Sequence, residues 1–580
     1  MAALITALDN YTPMQVGENG HTEYGWSYNL KERIAQFHMQ LTRTDSVTIE
    51  TLGNRFDTII QDIQCEYASD KISKKELIDM LSVMYKIVGL TRDIIDGKGE
   101  YALSYMLIYR WYAFYPELAM FALKCCISLE NNTVHPFGSW KDIKYFCNYC
   151  KENAQNEDHP LILYAIQLTN TQIRNDVNTE KPTLVGKWVP REKSSKFGWL
   201  FKKLAVNYFR EYIVTAITDK QRKAAQLKCF SRYRGICSDL NKKIDTVQIK
   251  QCSNIWSTIE PANQTSITLH KQKKAFLNKN KDNTQRSNSR DRIQCAVKFV
   301  EFIQSAAKGE VAIKGKRIGL NDFTQEALKL LSKSDQYDVQ DQIDLLNAQW
   351  RDNSTQTGAL GNMVAMVDVS GSMSGDPMNA AIALGCRVAE KSSLGKRVLT
   401  FSSSPSWVDL EKCDTFTEMV NNLKVARWSE STNIYKAFTL ILDAIEESKL
   451  TSDQVEKMIF VIFSDMQIDG ADSNINTSSR NTLFQNITEL YAKRGIKMTG
   501  TPFKPPHLLF WNLRSTTGFP VLSTEKNVTT MSGFSPALLN LYCEQGIESL
   551  QSASPWSMLL ESITNQRFQC LGEKVIEVLL

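Results

Sequence analysis

At 580 residues, 43% of them hydrophobic, the chain is large enough for at least two domains with apolar cores of their own. No stretch approaches the ~20 uninterrupted apolar residues of a membrane span, and the opening MAALITALDNYTPM has neither the basic n-region nor the long apolar core of a secretory signal. Thirteen scattered cysteines, an odd number without small-scaffold spacing, argue against a disulfide framework, so a reduced, cytoplasmic protein is the expectation. The formal net charge of +5 is unevenly distributed. From Gly358 onward 19 Lys and Arg face 23 Asp and Glu, a net of −4, which leaves +9 upstream. That asymmetry hints at an anionic partner for the N-terminal half, although ordinary surface variation would also produce it.

The upstream half reads as helical. Leu77, Leu81, Met84 and Val88 recur at helical spacing and predict a helix ending near Gly89, before the run TRDIIDGKGE. An aromatic-crowded helix follows over Tyr101 to Trp111, read as core rather than as a base-stacking platform. Pro116 breaks the chain, and a second apolar helix runs to about Leu129. Gly138-Ser139-Trp140-Lys141-Asp142 opens another helix with Ser139 as its N-cap. Paired helices with short breaks predict a HEAT-like scaffold of α-helical repeats, extended or closed into a ring, over about 20–355. Without a clean fixed period, the repeats are degenerate.

Two basic stretches lie within it. From Lys187 to Trp199 cations alternate with aromatic residues, a mixture in which Lys and Arg neutralise phosphates while Trp stacks on bases. Lys187, Trp188, Arg191, Lys193 and Lys196 are its candidate RNA contacts, against the plainer reading of a loop with packed Trp and solvated Lys. The second stretch, Lys271 to Arg292, has few apolar residues after Leu277 and reads as containing a flexible loop. Lys273, Lys274 and Lys279 are its candidates for sequence-independent phosphate contact, with a solvated loop as the alternative.

From Met363 an alternation of strands and helices predicts a doubly wound, Rossmann-like α/β domain over 358–545. Its strands are Met363–Val367, Val398–Ser402, Met458–Phe463, Leu508–Leu513 and, more weakly, Val528–Met531. Its helices are Met378–Glu390, Phe416–Asn422, Ile434–Glu447 and Ser479–Arg494. The first strand runs into Asp368-Val369-Ser370-Gly371-Ser372. One carboxylate and two hydroxyls, spaced by single residues, suit a hard divalent cation, Mg²⁺ or Mn²⁺, and leave a position open for an acidic group of a partner. Two more loops at the same sheet edge supply the remaining oxygens. Thr432 ends the run Trp428 to Thr432 before an amphipathic helix, and Asp465 follows the apolar run Met458–Phe463. A Ser-rich turn after a strand is the plainer alternative. Residues 546–580 form a tail whose end, Val575 to Leu580, is an amphipathic helix expected to pack back on the helical half.

Other motifs lack the partners their chemistry needs. Gly97-Lys98-Gly99 lacks the glycine and the Ser/Thr of a phosphate loop. Cys147 and Cys150 have no second pair, and His159 is the histidine near them. There is no G-x-S-x-G elbow, and Ser370 stands where an aspartyl phosphotransferase needs its general acid. These observations predict no enzyme.

The motifs VDVSGSMSGDPM, LTFSSSP, WSESTNIYKAFTLIL, FSDMQID, HLLFWNLRS, FPV and MSGFSPALL, with TRDIIDGKGEY, GSWKDIKYF and LVGKWVPREKSSKFGWL upstream, resemble the family called domain of unknown function 2828. That family is similar in layout to the Ro autoantigen (TROVE) group, which joins a ring of helical repeats to a von Willebrand A-type domain. The resemblance implies a metal-ion-dependent adhesion site at Asp368, Ser370, Ser372, Thr432 and Asp465. Through the more distant Ro likeness it implies a non-enzymatic, RNA-binding ribonucleoprotein scaffold. The alternative is a metal-dependent protein–protein module, without nucleic acid, that captures an acidic residue of a partner.

Overall fold

The computed structural model describes residues 11–129, 135–334, 338–425, 432–470, 481–543 and 547–580. A short antiparallel hairpin opens it, β1 (Met14–Val16) and β2 (Thr22–Tyr24). Helices Leu30–Gln40, Ser46–Ala68, Lys74–Arg92, Ala102–Phe114, Pro116–Cys125, Lys141–Ala154 and Pro160–Val177 then follow with short breaks. The stripe Leu77, Leu81, Met84 and Val88 is wholly buried. Its helix starts at a capping box formed by Ser73 and Glu76 and runs three residues past Gly89, to Arg92. The reason for the extension is Asp142, whose carboxylate receives a two-pronged bond from the buried Arg92 at 2.7 and 2.8 Å. Asp142 also corrects the cap expected at Ser139: the carboxylate accepts the Ser139 backbone N–H at 2.8 Å, and no side chain caps helix Lys141–Ala154. Trp111 lies fully buried, edge-on to Phe56 and Tyr85 at 5.4 and 5.3 Å, so the aromatic helix is core.

The stretch 271–292 spans two helix ends and the loop between them. Helices Ser266–Phe276 and Arg290–Ala307 are joined by a turn closed by an antiparallel bridge between Lys279 and Gln285, and by Asn280 N–H donating to the Thr284 carbonyl at 2.8 Å. Asn278 and Asn283 take left-handed backbone angles, φ 54 and 65, which asparagine tolerates better than most residues.

The downstream half is a six-stranded sheet. In chain order its strands are β3 (Met363–Asp368), β4 (Arg397–Phe401), β5 (Ser406–Asp409), β6 (Ile459–Ser464), β7 (His507–Asn512) and β8 (Val528–Ser532). Their spatial order is β5-β4-β3-β6-β7-β8, with every pairing parallel except the edge pair β4 and β5. β5 had no counterpart in the sequence reading, being a four-residue edge strand just after Pro405. Side chains alternate between two cores: Met363, Ala365 and Val367 face one, Val364 and Met366 the other. Helices Asp376–Lys391 and Phe416–Val425 contribute to the first core, Ile434–Glu447 and Leu483–Thr499 to the second. The last helix starts at Thr482, which forms a capping box with Gln485, and stops at Gly500, whose φ of 78 is the left-handed value of a helix end. The multidomain α and α/β layout is thus present.

The two halves are closely joined. Helix Gln569–Leu579 packs on helices Lys74–Arg92 and Pro116–Cys125. The approach is close because Gly89 faces Leu571 and Phe568, where an added Cβ would lie 2.7 and 2.8 Å from their side chains. Arg567 grips Asp93 with two bonds of 2.7 and 2.6 Å. Among the described residues no helix is long and apolar enough to cross a membrane.

Candidate metal centre

The strand order reverses between β3 and β6, which places the carboxyl ends of these two strands side by side at the switch point where ligands of open α/β sheets gather. Asp368 ends β3, fully buried. Its Oδ1 accepts the Ser370 backbone N–H at 3.0 Å and its Oδ2 accepts the Ser464 hydroxyl at 2.6 Å. A single 3-10 turn, Gly371–Met373, brings the Ser370 and Ser372 hydroxyls within 3.1 Å of each other. Asp465, also fully buried, follows β6; its Oδ1 accepts the Gln467 N–H at 3.2 Å. The turn is tightened by Met466, a non-glycine at φ 63, whose N–H donates to Ser464 Oγ at 3.0 Å.

Thr432 arrives from the second loop, fully buried, its backbone N–H donating to Asp469 Oδ2 at 2.9 Å and its carbonyl accepting the Asp469 N–H at 3.1 Å. Asn433 beside it caps helix Ile434–Glu447 by accepting the Lys436 N–H at 3.0 Å. The three loops anticipated from sequence therefore converge, with Asp368, Ser370, Ser372, Thr432 and Asp465 at one sheet edge. The rest of the second-loop run, Trp428 to Ser431, lies outside the described residues.

The site is electrostatically strained. Burial, followed by the nearby charge of Asp465, pushes the Asp368 carboxyl up to about 7. Burial also raises Asp465, against the opposing pull of the Gln467 and Ser372 hydrogen bonds and of Arg514. Two buried oxygens aimed into the same edge, Thr432 Oγ1 and Asp465 Oδ2, have no hydrogen-bond partner among the described residues. Leaving such atoms unpaired costs on the order of 1–3 kcal/mol each. The donor set is oxygen alone, two carboxylates and three hydroxyls. It fits a hard divalent cation such as Mg²⁺ or Mn²⁺ better than the nitrogen- and sulfur-seeking metals.

Sequence reasoning missed four participants. Ser464 was visible as the residue before Asp465, but nothing marked its bond to Asp368. Asp469 and Arg514 lie inside the motifs FSDMQID and HLLFWNLRS, but neither residue carried a role of its own there. The fourth is the β1–β2 turn, where the Asn19 carbonyl accepts the Gly470 N–H at 2.9 Å and its side chain donates to the Gln467 carbonyl at 2.8 Å.

The candidate RNA contacts are placed variously. Trp188 is half-buried beneath Lys144, 4.8 Å from its ring, and Lys187 is half-buried next to it. Arg191, Lys193 and Lys196 are exposed, and Lys193 lines a surface cleft with Trp199, itself covered by Lys151 at 4.7 Å. Lys273 leaves the candidate set: it is 8% exposed, pairs with Glu326 at 3.0 Å and donates to the His270 carbonyl at 3.0 Å. Lys274 and Lys279 are drawn onto the Lys281 and Asp338 carbonyls at 2.9 and 3.4 Å. Helix packing buries Lys273 alone; the other two stay at the surface.

Residues 362–568 match a family described as domain of unknown function (DUF7788). The match spans all three loops of the candidate site and stops short of the last helix. The chain is also similar to an uncharacterized protein of Acanthamoeba polyphaga mimivirus, 26% identical over 566 residues, which covers 94% of this chain and 86% of that protein. That likeness therefore runs through both halves.

Proposed function

We propose that this protein is a non-enzymatic, cytoplasmic capture module. A Mg²⁺ or Mn²⁺ ion held by Asp368, Ser370, Ser372, Thr432 and Asp465 would offer an open coordination position to an acidic residue of a partner protein. The observation that carries this reading is the pair of orphaned buried oxygens, Thr432 Oγ1 and Asp465 Oδ2, beside two carboxylates at the switch point. In this reading 358–545 is a von Willebrand A-type domain, 20–355 is a HEAT-like scaffold of the kind the family 2828 and Ro resemblances imply, and 546–580 is a tail. Asp368 and Asp465 bring the negative charge, the hydroxyls complete the oxygen shell, and the Ser464 hydroxyl and Ser370 amide fix the Asp368 carboxylate. The test is Mn²⁺ binding by electron paramagnetic resonance on the full chain. Wild type should bind one ion, and Asp368→Ala and Thr432→Ala should weaken binding by at least tenfold, in line with loss of a ligand. Equal binding by all three would remove the site.

A second reading, RNA binding on the helical half, is favoured by the exposure of Arg191, Lys193 and Lys196 and by the cleft that Lys193 lines with Trp199. Replacing the three cations together should flatten the salt dependence of oligonucleotide binding by about one unit per lost phosphate contact. An unchanged slope would end that assignment.

A further inference from the structure

We infer that Arg514 is the second grip of this centre, holding one oxygen of the partner carboxylate whose other oxygen takes the open metal position. The inference rests on the metal-site reading above and deepens it by naming the residue that reads the ligand. Arg514 stands two residues beyond β7, its backbone N–H held by Asn512 Oδ1 at 3.1 Å. The next residues are pinned by the helical half: Gln40 Oε1 accepts from the Thr516 N–H at 3.0 Å and from the Ser515 hydroxyl at 3.3 Å. From this anchored loop the guanidinium reaches over the first metal loop, where Nη1 donates to the Ser372 carbonyl. The side chain is exposed, and among the described residues Nε and Nη2 make no hydrogen bond.

Charge points the same way. Asp368 and Asp465 together balance one divalent cation, so with the ion in place the Arg514 charge is left over. Asp469 does not cancel it, because its carboxylate is turned to the Thr432 N–H and lies beside His21 and Lys436. A surplus positive charge on a planar fork, next to an open coordination position, selects a small oxyanion that can be held at two points. A carboxylate on a protein surface is favoured over a nucleic-acid phosphate, because the chain from Gly358 onward carries a net charge of −4 and would repel a polyanion.

The experiment uses the full chain, with Mn²⁺ affinity measured alone, with the peptide acetyl-Gly-Asp-Gly-amide, and with a short oligouridylate. In wild type the peptide should tighten Mn²⁺ binding by about tenfold, the size expected of two coupled ligands. Arg514→Ala should bind Mn²⁺ alone about fivefold more tightly, since a like charge has gone, and should lose the tightening by peptide. Arg514→Lys should keep the weaker intrinsic affinity of wild type and lose most of the tightening. Peptide coupling that survives unchanged in Arg514→Ala, with Mn²⁺ still bound through Asp368, overturns the role of Arg514 alone. Wild type without Mn²⁺ binding, or Asp368→Ala binding as well as wild type, overturns the metal reading with it. Stronger coupling to oligouridylate than to peptide overturns the carboxylate assignment.

Discussion

Replacing a buried, hydrogen-bonded carboxylate ordinarily destabilises a protein, yet Asp368→Asn should stabilise this one when metal is withheld. The carboxyl is raised from 3.8 to about 7, by burial first and by Asp465 second. In the window between these values the native state keeps a proton that the unfolded state has released. Stability therefore falls as pH rises through it, and the loss is complete above about pH 7. At ~1.4 kcal/mol per unit, the ionised form costs on the order of 4 kcal/mol at pH 8. Asparagine is neutral at every pH, its Oδ1 can still accept from the Ser370 N–H, and its amide can donate to Ser464 Oγ in place of the bond seen there. Melting curves in EDTA should thus place the variant above wild type at pH 8, with the two converging near pH 4. Saturating Mg²⁺ should narrow that gap, since wild type gains about 2.7 kcal/mol at a hundredfold excess over Kd and the variant gains little. A variant that melts below wild type in EDTA at pH 8, or responds equally to Mg²⁺, would refute the reasoning.

Three further outcomes follow from the packing. Lys98, fully buried, donates to the His38 and Leu41 carbonyls and the Ser532 hydroxyl at 3.0, 2.9 and 2.6 Å, and burial brings its pKa down to about 7. The unfolded state then holds a proton between about pH 7 and 10 that the native state lacks, so wild-type stability rises over that range. Lys98→Met should cost on the order of 2–3 kcal/mol in urea titrations, and more at pH 9 than at pH 7; a gap that narrows with pH would contradict this. Gly89→Ala should push helix Gln569–Leu579 off its seat at about 1–3 kcal/mol, read as earlier proteolytic loss of the tail, whereas unchanged cleavage would mean that Leu571 and Phe568 simply yield. Lys273→Ala should lower the melting temperature through its broken pair with Glu326 while leaving the salt slope of any RNA binding unchanged; a flattened slope would return Lys273 to the phosphate contacts.

The sheet was legible because its signals are local. Met458 to Phe463 is apolar throughout, as a strand covered on both faces must be, and the observed strand is displaced by a single residue. The convergence of the three loops at the sheet edge was legible because an aspartate and hydroxyls at fixed spacing follow such strands directly. β8 carries two threonines and read weakly; it is nonetheless buried along its length, since helix Pro555–Ile563 and helix Leu30–Gln40 both pack on it. Lys273 misled because it was grouped with the polar run that begins after Leu277, and only the position of Glu326, more than fifty residues on, shows that it is buried. Arg514 stood in the motif HLLFWNLRS without a role of its own for a related reason: its meaning comes from Ser372, far upstream in the chain, which only the parallel crossovers bring close.

These long-range contacts also decide what kind of device the site is. The carboxyl edge of the sheet is finished by the helical half. Asn512 Nδ2 donates to the Met39 carbonyl at 3.0 Å, Ser532 and Lys98 hold the same helix end, and Gln40 fixes the loop that carries Arg514. On the other side the β1–β2 turn clamps residues 467–470, immediately after Asp465. The largest cluster of buried apolar side chains runs from Leu30 to Val575 through both halves, so neither half closes its core alone. An ion or carboxylate arriving at this edge therefore bears on side chains whose positions are set by residues 18–40. In the reverse direction, a ligand that shifts helix Leu30–Gln40 moves the Arg514 loop through Gln40. On the proposed reading, an ion at this edge and a ligand on the helical scaffold would share one equilibrium, because coupling between two such sites is reciprocal.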